Sequence, residues 1–372
     1  MTTVQILTDT DGMHLALEWA AKGMYITAPN PRIGCVIVKD GAVISAGHTQ
    51  PAGQAHAEIE ALRDARERGM DVRGATAYVT LEPCNHHGRT PPCSDALVRA
   101  GLGRVVAAME DPNPLVAGQG LAKLAQAGIE VACGVMADEA FEMNIGFFSR
   151  MRRGLPWVRL KSAASLDGMT ALHNGESQWI TGPAARADGH AWRARACAIL
   201  TGIGTVKADD PQLTVRAVAT GRQPRRVIVD SRLDIDLDAK VLLGAVSWIV
   251  AAGETAHTAP KAAALRAAGH DVLYLPNAAG KVDLPALMRE LGRREINEVH
   301  VEAGSKLNGS LIREACVDEL LVYLAPSLIG EAQSMFALGP LASLEERQRL
   351  KFHAVEQVGE DLRILARFTH HS

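Results

Sequence analysis

Short apolar runs alternate with amphipathic helical segments in two successive series, and this alternation is the strongest constraint on the fold. In the first series, Asp11–Lys22 has helical spacing, with Asp11 as the expected N-cap. Ile33–Val38 and Ala42–Ala46 flank Asp40-Gly41, a pair that favours a tight hairpin. His56–Arg68 reads as a helix closed by Gly69, and Ala75–Leu81 as a strand running into Glu82-Pro83-Cys84. Ser94–Ala100 and Leu121–Ala127 are helical, with Arg104–Met109 a strand between them. Strands and helices of these lengths predict a three-layer α/β domain. The texture breaks at Arg150–Pro156 (RMRRGLP), which places a boundary between domains 1–150 and 151–372. Strand patterns then resume at Trp157–Lys161, Ala196–Thr201, Arg226–Val229, Trp248–Ala251, Val272–Leu275, Glu298–Val301 and Leu320–Leu324. Ala184–Arg195 and Ala259–Ala268 are the clearest helices among them.

Composition narrows the class of ligand. A net charge of −3 argues against general nucleic-acid affinity and favours small polar ligands. Met1–Thr10 lacks the basic start and apolar core of a signal peptide. The apolar stretch Val241–Gly253 is too short to span a bilayer, so a cytoplasmic chain is expected. Six cysteines in 372 residues do not form a disulfide framework.

The chemistry concentrates at His56-Ala57-Glu58, Pro83-Cys84 and Cys93. A His-x-Glu followed by Pro-Cys and a second Cys is the zinc nucleobase-deaminase pattern. One imidazole and two thiolates leave the fourth zinc position to water, whose pKa the metal lowers toward neutrality. Glu58 lies two residues past a ligand and is the expected proton shuttle. The alternative is a closed structural site with His86 or His87 as fourth ligand. Two further rivals are a nucleic-acid base deaminase, which needs a basic stripe with stacking aromatics, and a non-enzymatic zinc-stabilised binding module. Eight residues separate Cys84 from Cys93, and this donor-rich loop, with Arg89, suits a phosphorylated substrate.

Pro83-Cys84-Asn85-His86-His87-Gly88-Arg89-Thr90-Pro91-Pro92-Cys93 resembles the deaminase domain of the bifunctional riboflavin-biosynthesis deaminase–reductases. Ala28–Val36 resembles that family's substrate-side turn, which implies that Asn30 holds the nucleotide. Thr49 and Ala55 stand where the family usually has His and Pro, with His48 a candidate substitute one position away. Lys161–Gly168, Gly175–Thr181, Thr205–Arg216 and Val301–Gly304 resemble the reductase domain of the same family, although Met169 replaces its usual basic residue. The resemblance implies a cytidine-deaminase-like first domain and a dihydrofolate-reductase-like second domain that uses NADPH.

No complete G-x-G-x-x-G follows a strand, so a conventional dinucleotide fold is disfavoured. Val299–Leu311 instead reads as strand, Gly-containing loop and a helix starting near Ser310, which suits a pyrophosphate. By position, the resemblance assigns the cofactor to Ala163, Trp179, Thr205, Asp209, Ser231 and the loop Gly304, Ser305, Lys306, Leu307, Asn308, Gly309 and Ser310. It assigns substrate to Ser177, Arg193, Leu213, Arg216 and Glu302, with Arg193 and Arg216 as forked phosphate partners. Lys161 is a further catalytic candidate in the reductase. The implied activity is zinc-dependent hydrolytic deamination of 2,5-diamino-6-ribosylamino-4(3H)-pyrimidinone 5′-phosphate, followed by NADPH reduction of the ribosyl group to a ribityl chain. A homo-oligomer is implied as well. Cys35, Cys133, Cys197 and Cys316 are then expected to be buried packing residues.

Overall fold

The computed structural model describes residues 5–85, 91–113 and 117–369, and the chain divides into two compact units, Met1–Arg153 and Gly154–Ser372. His86, His87 and Arg89 lie outside the described residues.

The first unit contains strands β1 (Gly34–Lys39), β2 (Ala42–His48), β3 (Thr76–Val79), β4 (Arg104–Ala107) and β5 (Glu130–Cys133). Its helices are α1 (Asp9–Lys22), α2 (Ala57–Glu67), α3 (Cys93–Ala100), α4 (Gln119–Gln126), α5 (Ala137–Met143) and α6 (Ile145–Arg153). The sheet order is β2-β1-β3-β4-β5, with β1 antiparallel to both neighbours and the remaining pairs parallel. Alternation along the strands divides the core in two. Cys35, Ile37, Val79 and Val105 pack with Ala61, Leu97 and Leu124 of α2, α3 and α4. Val36, Val38, Tyr78 and Val106 face Met13 and Leu17 of α1 on the other side. These are the three expected layers.

The hairpin forms at Asp40-Gly41, both with positive φ (52° and 75°), as a twisted two-residue connection requires. Two glycines set how closely helices approach the sheet. A Cβ on Gly34 would stand 1.9 Å from the Ala16 carbonyl of α1, and one on Gly47 2.5 Å from the Ala61 nitrogen of α2. The N-cap of α1 is Thr8 rather than Asp11. Asp11 returns the bond to the Thr8 backbone N–H, so the pair forms a capping box that begins the helix two residues early. Helix α6 continues through Arg153, and the two units divide at Gly154, within the stretch Arg150–Pro156.

The second unit contains β6 (Trp157–Ser165), β7 (Met169–Ala171), β8 (Ala198–Gly202), β9 (Arg225–Val229), β10 (Ser247–Ala251), β11 (Asp271–Tyr274), β12 (Glu298–Val301), β13 (Glu319–Ala325), β14 (Gln333–Ser334), β15 (Leu350–Val358) and β16 (Asp361–Phe368). Its helices are α7 (Pro183–Arg195), α8 (Ile203–Asp209), α9 (Ala259–Ala267), α10 (Leu284–Arg293) and α11 (Ser305–Arg313). Nine strands form one sheet, ordered β11-β10-β9-β8-β12-β6-β13-β16-β15. The strands from β11 to β13 are parallel, and β16 and β15 add an antiparallel edge. Near-continuous burial of β8, β10 and β12 fits a parallel sheet covered on both faces.

Two expectations are corrected here. The segment after β12 is not a loop to Ser310: α11 starts at Ser305, directly after its N-cap Gly304. Asn308 and Gly309 are buried within it, where a Gly309 Cβ would stand 2.2 Å from the Ala337 carbonyl. Cys133 is exposed, because β5 is an edge strand, whereas Cys35, Cys197 and Cys316 are buried.

Candidate active site

Helix α2 begins where Gly47 lets it settle on β2, and this fixes both His56 and Glu58. His56 is the N-cap, but its imidazole makes no capping bond and is free to turn toward the cysteines. Its Nδ1 lies 3.6 Å from Cys84 Sγ and 3.4 Å from Cys93 Sγ. A tetrahedral zinc with ordinary bond lengths requires a nitrogen–sulfur separation of about 3.6 Å. One neutral-capable imidazole and two thiols are also the donor types that zinc prefers, so the residues fit the metal. Among the described residues, this is the one cluster of three such groups within 4.8 Å. Cys84 follows β3 and Cys93 opens α3, whose backbone N–H donates to Cys84 Sγ at 3.4 Å.

The electrostatics suit a metal-binding thiolate beside a proton carrier. Hydrogen bonding from Cys93, with that from His56, holds the Cys84 thiol down at about 4 against its burial. Cys93 is pushed up by its bond to Cys84 and by burial. Glu58 is 4 % exposed, and burial followed by the charge of Cys84 lifts its carboxyl to about 7. Asn30 sits just after the Ala28-Pro29 bond, with its backbone N–H bonded to the Thr27 carbonyl at 3.0 Å.

His48 does not join this cluster. It pairs with Gly34 on the α1 face of the sheet, tilts against Trp19, and its Nδ1 meets Gln50 Nε2 at 2.7 Å. His56 opens α2 on the opposite face. His48 is the candidate substitute for the family's His at the position of Thr49, and the neighbours of its ring are Trp19 and Gln50.

In the second unit, neighbouring strands β8, β12 and β6 run parallel, and their carboxyl ends gather several predicted residues. A Cβ on Gly304 would stand 3.8 Å from Thr205 Oγ1, so the starts of α8 and α11 lie side by side. The free N–H groups of the first turn of α11 make this an anion-accepting corner, which fits a dinucleotide phosphate. Trp179 is 70 % exposed, with the Arg186 guanidinium 4.5 Å from its ring centre. Thr205 is half-buried on α8, Asp209 is exposed at its end, and Ala163 is half-buried on β6. Ser231 follows β9, and its Oγ accepts from the Val282 N–H at 3.2 Å.

Arg193 already has partners within the protein. Its fork lands on Glu302, with Nη2 donating to Oε2 at 2.7 Å and Nε donating to Oε1, while Nη1 reaches the Thr214 carbonyl at 3.2 Å. Although burial opposes it, Arg193 holds the Glu302 carboxyl well below the usual range. Burial pulls Lys161 down from the ordinary lysine value, while Glu302 works against that fall. Arg216 is exposed, bonding to Gln212 and Thr214 through Nη1. Leu213 has φ 50° and a side chain in the hydrophobic core, so it can offer a ligand only its backbone. Ser177 is half-exposed in the segment before Trp179.

Comparison with known proteins decides the family. Residues 7–109 match the cytidine and deoxycytidylate deaminase zinc-binding region, and residues 156–364 match the RibD C-terminal domain. The riboflavin biosynthesis protein RibD of Escherichia coli is 46 % identical over 364 residues, covering 94 % of this chain and 96 % of that protein. The chain belongs to the RibD family. A solved RibD from Acinetobacter baumannii superposes with a TM-score of 0.87 at 42 % identity, covering 97 % of this chain and 99 % of that one. A Thermotoga maritima diaminohydroxyphosphoribosylaminopyrimidine deaminase/5-amino-6-(5-phosphoribosylamino)uracil reductase gives 0.86 at 34 % identity, covering 97 % and 98 %. The chain is therefore both a hydrolytic deaminase and an oxidoreductase of riboflavin biosynthesis, in a family that uses zinc and NADPH. Its two folds are the cytidine-deaminase-like and reductase folds of that family.

One supporting residue escaped the sequence reading. Glu82, 5 % exposed, accepts from the backbone N–H groups of Asp111, Gly118, Gly120 and Leu121 at 2.7–3.3 Å. It thereby ties the strand end that precedes Cys84 to the start of α4. Its pattern, Glu-Pro-Cys, was visible, but its four partners lie nearly 30 or more residues away. Glu82→Ala is expected to destabilise the protein by about 3 kcal/mol, since several buried N–H groups lose a charged acceptor. Denaturant unfolding followed by tryptophan fluorescence checks this, and an unchanged midpoint would refute the strut role.

Proposed function

We propose that the first unit removes the 2-amino group of 2,5-diamino-6-ribosylamino-4(3H)-pyrimidinone 5′-phosphate, and that the second unit then reduces the ribosyl group of the product to a ribityl chain. The observation that carries this reading is the His56–Cys84–Cys93 triad beside buried Glu58, in a chain whose remainder matches a reductase domain. His56, Cys84 and Cys93 would hold zinc, which when bound supplies the Lewis acidity that activates a water at neutral pH. Glu58 would move two protons in turn, the first from the attacking water to the ring nitrogen and the second from the hydroxyl so formed to the amino group that leaves as ammonia. A carboxyl lifted toward neutrality by burial is suited to moving protons in both directions. Asn30 orients the pyrimidine.

In the second unit, NADPH supplies the two reducing electrons and would lie along Ala163, Trp179, Thr205, Asp209, Ser231 and the Gly304–Ser310 segment. Ser177, Leu213 and Glu302 hold the substrate, with Arg193 and Arg216 on its phosphate. Arg193 has five N–H groups and spends three on Glu302 and Thr214, leaving two for a phosphate oxygen. Lys161 lies close enough to Glu302 to share its charge and steers the sugar end. No helix among the described residues is long and apolar enough to cross a membrane. We place the enzyme in the cytoplasm as a homo-oligomer, acting on small phosphorylated pyrimidines and not on nucleic acid, which the net charge of −3 supports.

The test follows ammonia and NADPH together on the diaminopyrimidine substrate. Ammonia release is expected first, with NADPH oxidation after a lag and in equal amount. NADPH consumption without a lag would overturn the proposed order, and ammonia release with no NADPH consumed would leave a deaminase only.

A further inference from the structure

Helix α7 carries His190 one turn before Arg193, so the two side chains share a face of the helix. The backbone N–H of Arg216 donates to His190 Nδ1 at 3.3 Å. That bond connects α7 to the segment bearing the second arginine, and it also settles the state of the ring. A nitrogen that accepts cannot carry the proton, so the neutral imidazole holds its hydrogen on Nε2. Burial first, then the charges of Arg193 and Arg216, favour that neutral form. His190 is half-buried and therefore reachable from solvent. Glu302, whose charge also reaches His190, is engaged by Arg193.

We propose that His190 is a specificity-determining residue of the reductase half, donating from Nε2–H to the substrate's 5′-phosphate between Arg193 and Arg216. This rests on the reading that the two arginines face that phosphate. A phosphate monoester presents three acceptor oxygens and nearly two negative charges at neutral pH. Two remaining Arg193 N–H groups, the Arg216 guanidinium and one imidazole N–H together match that acceptor set. No sequence motif singles out His190, because its role arises from the fold bringing α7 against residues 214–216.

The two ring nitrogens allow a direct test, since Asn mimics Nδ1 and Gln mimics Nε2. NADPH oxidation is measured on the deaminated substrate and on its dephosphorylated form, for the wild type, His190→Phe, His190→Asn and His190→Gln. Ammonia release from the diaminopyrimidine substrate reports an intact first unit, and the melting temperature reports folding of each variant. The expected result is a KM for the phosphorylated substrate about tenfold higher in His190→Phe and His190→Asn, with His190→Gln near wild type and kcat little changed. The dephosphorylated substrate should show no such difference. Rescue by Asn instead of Gln would assign His190 to holding the Arg216 segment and overturn the proposal. Unchanged KM in all three variants would overturn it as well. A wild type that does not distinguish the two substrates would refute the arginine–phosphate reading itself, whatever the variants do.

Discussion

Glu58→Gln is expected to reduce ammonia release by roughly 10²–10⁴-fold in kcat while leaving zinc content and NADPH oxidation on the deaminated intermediate at wild-type levels. The substitution keeps the volume of a side chain that is 4 % exposed, so packing around α2 is preserved. It removes the one function an amide cannot perform, which is to accept and return a proton. The three candidate zinc donors His56, Cys84 and Cys93 keep their side chains, and the amide oxygen of Gln retains an acceptor for the contact that Glu58 makes with Cys93. Metal analysis and an ammonia assay on the same sample distinguish the outcomes. Ammonia release within a factor of two of wild type would remove Glu58 from the mechanism. Lost zinc would instead make it part of the metal site.

The largest expected effect on stability is at Arg159, which is 3 % exposed at the middle of the second sheet. Its Nη1 donates to Glu298 at 3.1 Å and its Nε donates to Glu319, on the strands either side of β6. Arg195 and Arg367 complete the row at 2.8 Å and 3.0 Å, and the Arg159 guanidinium lies 4.3 Å from the Trp192 ring centre. Arg159→Met leaves two carboxylates, each 1 % exposed, short of a partner. Breaking such a network from one side costs about 3–5 kcal/mol, far more than a surface pair contributes. Denaturant unfolding should show that loss, and a change under 1 kcal/mol would contradict the account. The same network predicts an acid limit. Burial works to raise the Glu319 carboxyl, but Arg159 and Arg367 hold it below its usual value. Its contribution is present above the unfolded pKa of about 4.3 and is lost as pH falls through the lower folded value.

The legible parts of the fold were those fixed by local chemistry. Asp40-Gly41 specified its hairpin, and Glu298–Val301, with Val at alternate positions, matched β12 residue for residue. The cluster of His56, Cys84 and Cys93 was legible because deaminase chemistry demands particular atoms at a particular spacing. What escaped depended on distant partners. The edge strands β5 and β15 are too polar or too exposed for an apolar run to mark them. Small residues obscured the start of α11, since Gly309 signals a loop until Ala337 is seen against it. The Arg193–Glu302 bond could not be read from the chain because the two residues lie 109 positions apart. Glu82 and His190 were silent for the same reason.

In the proposed function, zinc chemistry and reduction reside in separate units of one chain. Its most direct test is to strip the metal with a chelator and supply both substrates in turn. Ammonia release from the diaminopyrimidine should vanish and return on adding zinc, while NADPH oxidation on the already deaminated intermediate continues unchanged. Loss of both activities on chelation, with the fold intact by circular dichroism, would show that reduction also depends on the metal.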